Sequence, residues 1–497
     1  MAVPLLLPDI PPLIDLPGHM ARYRVSIGID SSPALDLFYD FRWSVMGNLG
    51  IDILILPMAR LFGIELGVKI IVIAIPVMTA AGLLWVAREV HGRVPPTAFF
   101  ALPFVYGYPF LFGFVNFALS MALALLAFAL WLHLARTGRF RLRAILFVPI
   151  SILIWFAHTF GWGMLGVLAF SAELVRQIDN RRGFIQAGFN AALHCLSLAF
   201  PLVLMLAWRS GHSGGFTGDW FNWRAKWLWI KWSLRDRWWL LDTATLIFIA
   251  LLLVRALRSP RIEFSRNLAA STIFLAIVFA CLPRIVFGSA YADMRLVPYV
   301  FAIAVIAIRM KPRASTAYMT SIAVVALVFA GARLAATTMS FHTYDQVYDR
   351  VLAATDHIPR GARLVSFVGR PCREHWAHSR LEHLPGIATV RRDAFTNDQW
   401  ALPGAPLLTV TYPQGDWFVR DPSQTVTPRK CTGEVYLPIN EALKRFPRRA
   451  FDYVWLINPP RFDERLAEGL QPVWRSGRSV LYRVIDRAPP RVAREES

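Results

Sequence analysis

"FALSMALALLAFALWLHLA" (residues 117–135) runs directly into "RTGRFRLR" (136–143). The first stretch holds no acid, lysine or arginine, and as a helix it is long enough to cross about 30 Å of hydrocarbon. The second places arginines where such a helix would leave the bilayer on its cytoplasmic side. An apolar window joined to a short basic linker is therefore the pattern to look for elsewhere. It recurs in "GVKIIVIAIPVMTAAGLLWVA" (67–87) before "REVHGRV" (88–94), and in "RMKPR" (309–313) before "AYMTSIAVVALVFAGARLAA" (317–336).

Composition supports the same reading. Hydrophobic residues make up 56% of the 497, charged residues 17%, and mean hydropathy is +0.43. A soluble domain could not keep that much apolar surface from water, so the chain is expected to be a polytopic α-helical membrane protein. The net charge of +20 raises nucleic-acid binding as a class. The excess, however, lies largely in short linkers where basic residues orient helices, so no nucleic-acid partner is expected. No cleavable secretory signal is visible.

Apolar windows predict about ten spans, near 67–87, 97–112, 115–135, 144–157, 161–176, 186–208, 241–257, 267–283, 296–309 and 315–336. "RQIDNRR" (176–182) and "RALRSPRIEFSR" (255–266) join the three basic linkers already quoted. The alternate linkers "YGYPFLFG" (106–113) and "HTFG" (158–161) carry no lysine or arginine. The positive-inside rule then puts the basic set in the cytoplasm, and 15–60, 209–240, 284–295 and everything after about 337 on the opposite face. "WFNWRAKWLWIKWSLRDRWWLL" (220–241) is basic yet falls outside. Its interleaved tryptophans and cations suit a helix lying in the interface against membrane lipids, or one touching a lipid substrate.

Beyond 337 the texture changes. "RLVSFVG" (363–369), "PLLTVTY" (406–412), "DYVWLIN" (452–458) and "SVLYRVI" (479–485) read as strands, and "TYDQVYDRVLAATDHI" (343–358) and "RFDERLAEGL" (461–470) as amphipathic helices. A C-terminal α/β soluble domain is expected. The division is 1–66, a first outer loop with short amphipathic helices; 67–336, the transmembrane bundle; 337–487, the α/β domain; and 488–497, a disordered tail. Cys195 and Cys281 fall inside predicted spans as small buried hydrophobes. Cys372 and Cys431 both fall in the terminal domain, where an oxidising compartment could join them.

The ionisable cluster "PPLIDLPGHMARYRV" (11–25) precedes the first long span. Pro17 favours a helix starting there. That helix would put Asp15 at its entrance, His19 a turn in and Arg22 on the same side. A helix cap at Asp15 and a solvated face would explain the same residues.

"DLPGHMARY" (15–23) resembles the Asp-x-Pro-x-His-x-x-Arg opening of a set of bacterial membrane proteins that look like C-type glycosyltransferases. This is the GT-C fold, which includes the protein mannosyltransferases and the aminoarabinose transferases of lipid A. "YGYPFLFGFVNFALS" (106–120), "WFAHTFGWG" (155–163), "YADMRLVP" (291–298) and the late "FDYVWLI" and "LYRV" extend the resemblance along the chain. It implies a multi-span bundle, often a C-terminal outer domain, and an acidic catalytic base in the first outer loop. It also implies a spanning helix before that loop; this sequence has none, which suggests either a misassigned start or an N-terminus that begins outside.

The implied reaction moves a sugar from a polyprenyl-phosphate donor, at the periplasmic face of a bacterial inner membrane, to an envelope acceptor whose identity the sequence leaves open. A carboxylate would take the acceptor hydroxyl's proton, and cations would hold the departing phosphate. Asp15 is the candidate base, with Asp40 ("FYDFRW", 38–43) second. His19, Arg22, His158 and Arg295 are candidates for the donor phosphate and substrate. Arg295 could equally pair with Asp293, and His158 could be a helix-terminal histidine satisfied by backbone. Asn48 and Asn116 could bind sugar hydroxyls or tie helices together. No metal-ligand spacing, phosphate-cradling glycine loop or serine elbow is present, and no cofactor is expected, although a divalent ion between Asp15 and Asp40 is compatible with the sequence. The rival readings are a multi-pass transporter or flippase, for which no internal repeat is found, and a catalytically silent GT-C-like protein.

Overall fold

The computed structural model describes residues 1–209, 216–311, 315–400 and 407–489. Most of the expected tail, 490–497, lies outside them. The chain divides into two compact units. One comprises residues 1–7, 45–54 and 70–340; the other comprises 8–44, 55–69 and 341 onward.

The first unit is helical. Among the described residues, five helices are long and apolar enough to cross a membrane: Ile64–His91, Val115–Arg136, Phe140–Ala157, Trp239–Arg258 and Thr316–His357. Phe184–His194 and Leu196–Leu206, bent by 44°, make a sixth if they count as one span. The other expected windows are also helical but shorter or more mixed. Arg266–Cys281 and Val297–Ile306 are short, and Thr159–Asp179 carries Glu173 and Arg176. Prolines at 96, 103 and 109 disfavour continuous α-helix over 96–112, and the segment is a 3₁₀ helix, Pro96–Tyr106, followed by Tyr108–Phe112.

Val115–Arg136 is the central helix, with most of its side chains buried, including Trp131. Thr159–Asp179 approaches it closely because Gly161 has no side chain: a Cβ there would stand 2.5 Å from the Ser120 carbonyl. Such small-residue contacts let helices pack where no hydrophobic force drives them together.

The basic linkers gather at one end of this unit. Arg136 donates to Glu89, Arg266 pairs with Asp179, and Arg309 pairs with Glu263 at 2.8 Å. Ile262–Phe264 and Ile308–Met310 form a short antiparallel ladder there. A different set of residues ties the interhelical turns. The Asn116 side chain accepts from Ile51 N at 2.7 Å and donates to Asn48 O and Asp52 Oδ2. Asn116 is thus a helix tie. In the tryptophan-rich segment, helix Trp223–Trp232 exposes Trp223 and Trp227. Its Lys226, however, is buried, bonded to Asp293 and to the carbonyls of Phe279 and Leu282.

The second unit is built on a six-stranded sheet: β1 (Leu364–Gly369), β2 (Thr425–Thr427), β3 (Leu437–Pro438), β4 (Tyr453–Ile457), β5 (Leu470–Ser476) and β6 (Ser479–Val484). The order is β3-β2-β1-β4-β6-β5. The first four strands run parallel, and β6 is antiparallel to both β4 and β5. β1, apolar but for Ser366, which bonds to Asn397, and β4 are fully buried, as central parallel strands require. Two sequence readings change here. Residues 461–470 form not an amphipathic helix but a single 3₁₀ turn, Glu464–Ala467, leading into β5. The helix expected from 343 is continuous with the preceding span as Thr316–Leu352, since no glycine or proline interrupts 337–343.

Residues far apart in sequence share this unit's core. Val25, Leu35, Phe38 and Tyr39 pack with Phe367, Phe395 and Tyr412. Tyr39–Phe41 forms an antiparallel ladder with Leu408–Val410. Cys372 and Cys431 form a disulfide with Cα atoms 5.4 Å apart. Cys195 and Cys281 are free thiols. Neither is the buried hydrophobe expected: Cys281 is exposed at a helix end, and Cys195 is half-buried at another.

Candidate functional site

In the second unit, helix Leu16–Gly28 begins as the sequence predicts, with Pro17 in its first turn. Asp15 stands at the cap position but makes no side-chain capping bond, and it is 9% exposed. Its Oδ1 lies 4.0 Å from Nε2 of His383, and the same nitrogen lies 3.6 Å from Oδ1 of Asp421. His383 Nδ1 is 3.0 Å from the Asp398 carbonyl. The Asp398 carbonyl calls for a proton on Nδ1, whereas the Gln424 side-chain amide, 3.2 Å from the same nitrogen, can donate only to a lone pair there; in the tautomer with Nδ1–H, Nε2 presents its lone pair to the two carboxylates.

The ring is fixed from several sides. Trp400 packs on it at 4.3 Å between centroids, and His19 packs on Trp400 at 4.9 Å. Gln424 accepts from the His383 backbone N–H and donates to Asp421 at 2.7 Å. Gly18 allows this approach: a Cβ there would be 3.0 Å from both His383 Nδ1 and the Trp400 ring. Gly386 does the same on the neighbouring helix, where a Cβ would stand 2.6 Å from Asp398 Oδ2 and 2.9 Å from the Pro17 carbonyl.

Burial sets the proton affinities. It raises Asp398 and Glu382 above the usual carboxylate range and pushes Asp421 up to about 6. It lowers His383 below the ordinary imidazole value, against the opposing pull of Asp398 and Glu382. Burial thus shifts the imidazole and three carboxyl groups of this pocket toward their neutral forms.

The remaining candidates fall on several elements. Arg22 lies over the Tyr23 ring at 5.4 Å, on the helix that carries His19. Asp40 is on the Tyr39–Phe41 strand, where its carboxylate, 41% exposed, pairs with Arg42 at 2.9 Å. His158 and Arg295 belong to the first unit and lie together, with Nη1 of the arginine 3.3 Å from Nε2 of the histidine. Arg295 also donates to Ser289 Oγ at 3.0 Å and stacks on Phe114 at 4.2 Å, and it is 6% exposed. Asp293 pairs with Lys226 at 3.2 Å. His158 uses its Nδ1 to cap helix Thr159–Asp179 through Phe160 N, as the helix-terminal reading anticipates, while its Nε2 faces the guanidinium. Among the described residues, no group of three or more His, Cys, Asp or Glu side chains is arranged to hold a metal ion.

No family model matches the chain, and no curated protein matches it. Solved structures do. The chain is similar to ArnT from Cupriavidus metallidurans in the apo state, with a TM-score of 0.50, 12% identity, and coverage of 97% of this chain and 95% of that one. The likeness is one of fold. A second structure of the same protein, bound to undecaprenyl phosphate, aligns over the same shares at 12% identity with a TM-score of 0.47.

A likeness of fold matches the helices and the late sheet but does not say which side chains act. Of the residues that line the Asp15 pocket, sequence reading named Asp15 and His19 but not His383, Trp400 or Asp421. The available signal was "REHWAHSRLEHLPG" (373–386), three histidines and two glutamates in a segment with neither strand nor helix periodicity.

Proposed function

We propose that this chain is an integral-membrane glycosyltransferase that moves a sugar from a polyprenyl-phosphate donor to a cell-envelope glycan, lipid or protein. In this reading the bundle spans the inner membrane about ten times, the basic linkers are cytoplasmic, and the domain over 337–487 works on the periplasmic side. Asp15 takes the proton of the acceptor hydroxyl as that oxygen attacks the anomeric carbon. The bond from that carbon to the phosphate oxygen breaks, and the phosphate leaves with its electron pair. In the first unit Arg295, with His158 beside it, is the candidate for the phosphate; in the second, His19 and Arg22 are candidates for substrate, and Asp40 is the reserve base.

The observation that carries the reading is Arg295. A guanidinium almost out of solvent, stacked on Phe114 and fixed by Ser289 and His158, is a pre-oriented two-pronged donor of the kind that recognises phosphate. The fold and the sequence resemblance support the same donor class. Because arginine supplies the positive charge, no metal enters this scheme, and EDTA should leave turnover unchanged.

The test uses the purified full-length chain in lipid nanodiscs with a panel of polyprenyl-phosphate pentoses and hexoses, reading polyprenyl phosphate released by chromatography. Release from at least one donor is expected, with Arg295→Ala raising the donor KM. No release from any donor, or an unchanged KM in Arg295→Ala, would overturn the proposal.

A further inference from the structure

We propose that His383 is the proton acceptor behind Asp15, and that Asp421 balances the imidazolium that forms. This deepens the glycosyl-transfer reading and rests on it for the role of Asp15. The relay uses the tautomer with Nδ1–H on the Asp398 carbonyl, in which the Nε2 lone pair of His383 and the Asp15 carboxylate are both acceptors. Two acceptors hold no hydrogen bond between them, and their 4.0 Å separation fits that state. Once Asp15 has taken the acceptor's proton, its O–H is a donor facing a lone pair. The proton passes to Nε2, Asp15 returns to carboxylate, and His383 becomes a cation with Nδ1–H still on the Asp398 carbonyl.

Asp421, 3.6 Å from Nε2, then faces a positive charge. Side-chain exposure rises along this line, from 7% at His383 to 29% at Asp421, so the proton leaves toward solvent through Asp421. The ionisable groups found around the imidazole among the described residues bear on this step. These are Asp15 from the helix entrance, Glu382 beside it in sequence with its partner Arg370, Asp398 from the loop, and Asp421 from the 421–424 turn. The carboxyl groups favour the cation and burial opposes it, so the charge is transient and the site resets neutral.

Two measurements on the full-length chain test this. In the first, NMR of ring-¹³C-labelled histidine follows the His383 resonance, assigned by its loss in His383→Gln. Its midpoint should fall by about one pH unit in Asp15→Asn and again in Asp421→Asn, since each removes a facing negative charge. An unchanged midpoint in Asp15→Asn would overturn the relay. In the second, His383→Ala should lower turnover of a polyprenyl-phosphate sugar by roughly tenfold or more, with free imidazole restoring part of it. Loss without rescue, in protein whose unfolding temperature is unchanged, would mean that His383 only packs. A wild-type chain that turns over no donor overturns the glycosyl-transfer reading, while the NMR midpoint still decides whether Asp15 and His383 are coupled.

Discussion

Asp15 shows how position and contact separate two readings of one residue. Asp ahead of Leu-Pro is a good cap by sequence, yet its carboxylate faces His383 instead of the helix amides. Asp15→Asn should therefore cost turnover by about two orders of magnitude or more while leaving the thermal unfolding midpoint within a degree or two. A midpoint that falls with the activity would return Asp15 to a structural role. Asp421 makes a separate, pH-linked prediction. Its folded value near 6 lies above the ordinary 3.8, so the native state holds that proton more tightly than the unfolded one. The stabilising contribution is present below about 3.8 and is lost as pH rises through about 6. Asp421→Asn should then stabilise the protein at pH 7.5 by about 1–2 kcal/mol, allowing for a side chain 29% exposed, and be neutral near pH 3.5. Differential scanning calorimetry at the two pH values checks it.

Elements were legible wherever one physical signal dominated. The windows at 115–135 and 317–336 fall in long helices, and "RLVSFVG" and "DYVWLIN" fall on β1 and β4, because continuous apolar runs have few other solutions. β2 and β3 were missed because "TVT" and "LP" are too short to show a period, and 461–470 was misread because turn and helix share its polar pattern. The site was half legible for a related reason. Asp15 and His19 sit in one short motif, whereas His383 and Asp421 reach them only through the packing of helix Leu16–Gly28 on helix Gly386–Arg392. Gly386 lets those helices meet, and Gly386→Ala would press a methyl group against Asp398 and the Pro17 carbonyl. It should destabilise the unit by about 1–3 kcal/mol and broaden the His383 resonance. A variant as stable as wild type by thermal unfolding would show that the contact yields without cost.

At the scale of the whole chain, the linkers rich in arginine contact one another at one end of the helical unit, as the charge pattern anticipated. A reporter that matures only outside the cytoplasm should be active when fused at the C-terminus and silent when inserted in the 136–143 linker; the reverse pattern would invert the proposed topology. The second unit carries a further consequence, for synthesis. Val25, Leu35 and Phe38 complete their core only with Phe367, Phe395 and Tyr412, which leave the ribosome after the entire helical unit. At roughly 5–20 residues per second the opening segment waits on the order of tens of seconds for its partners. During that interval its greasy side chains need a chaperone or the lipid surface, and a message cut short after residue 340 would strand them permanently. Quality-control proteases should therefore clear such a fragment much faster than a chain shortened only at its extreme end.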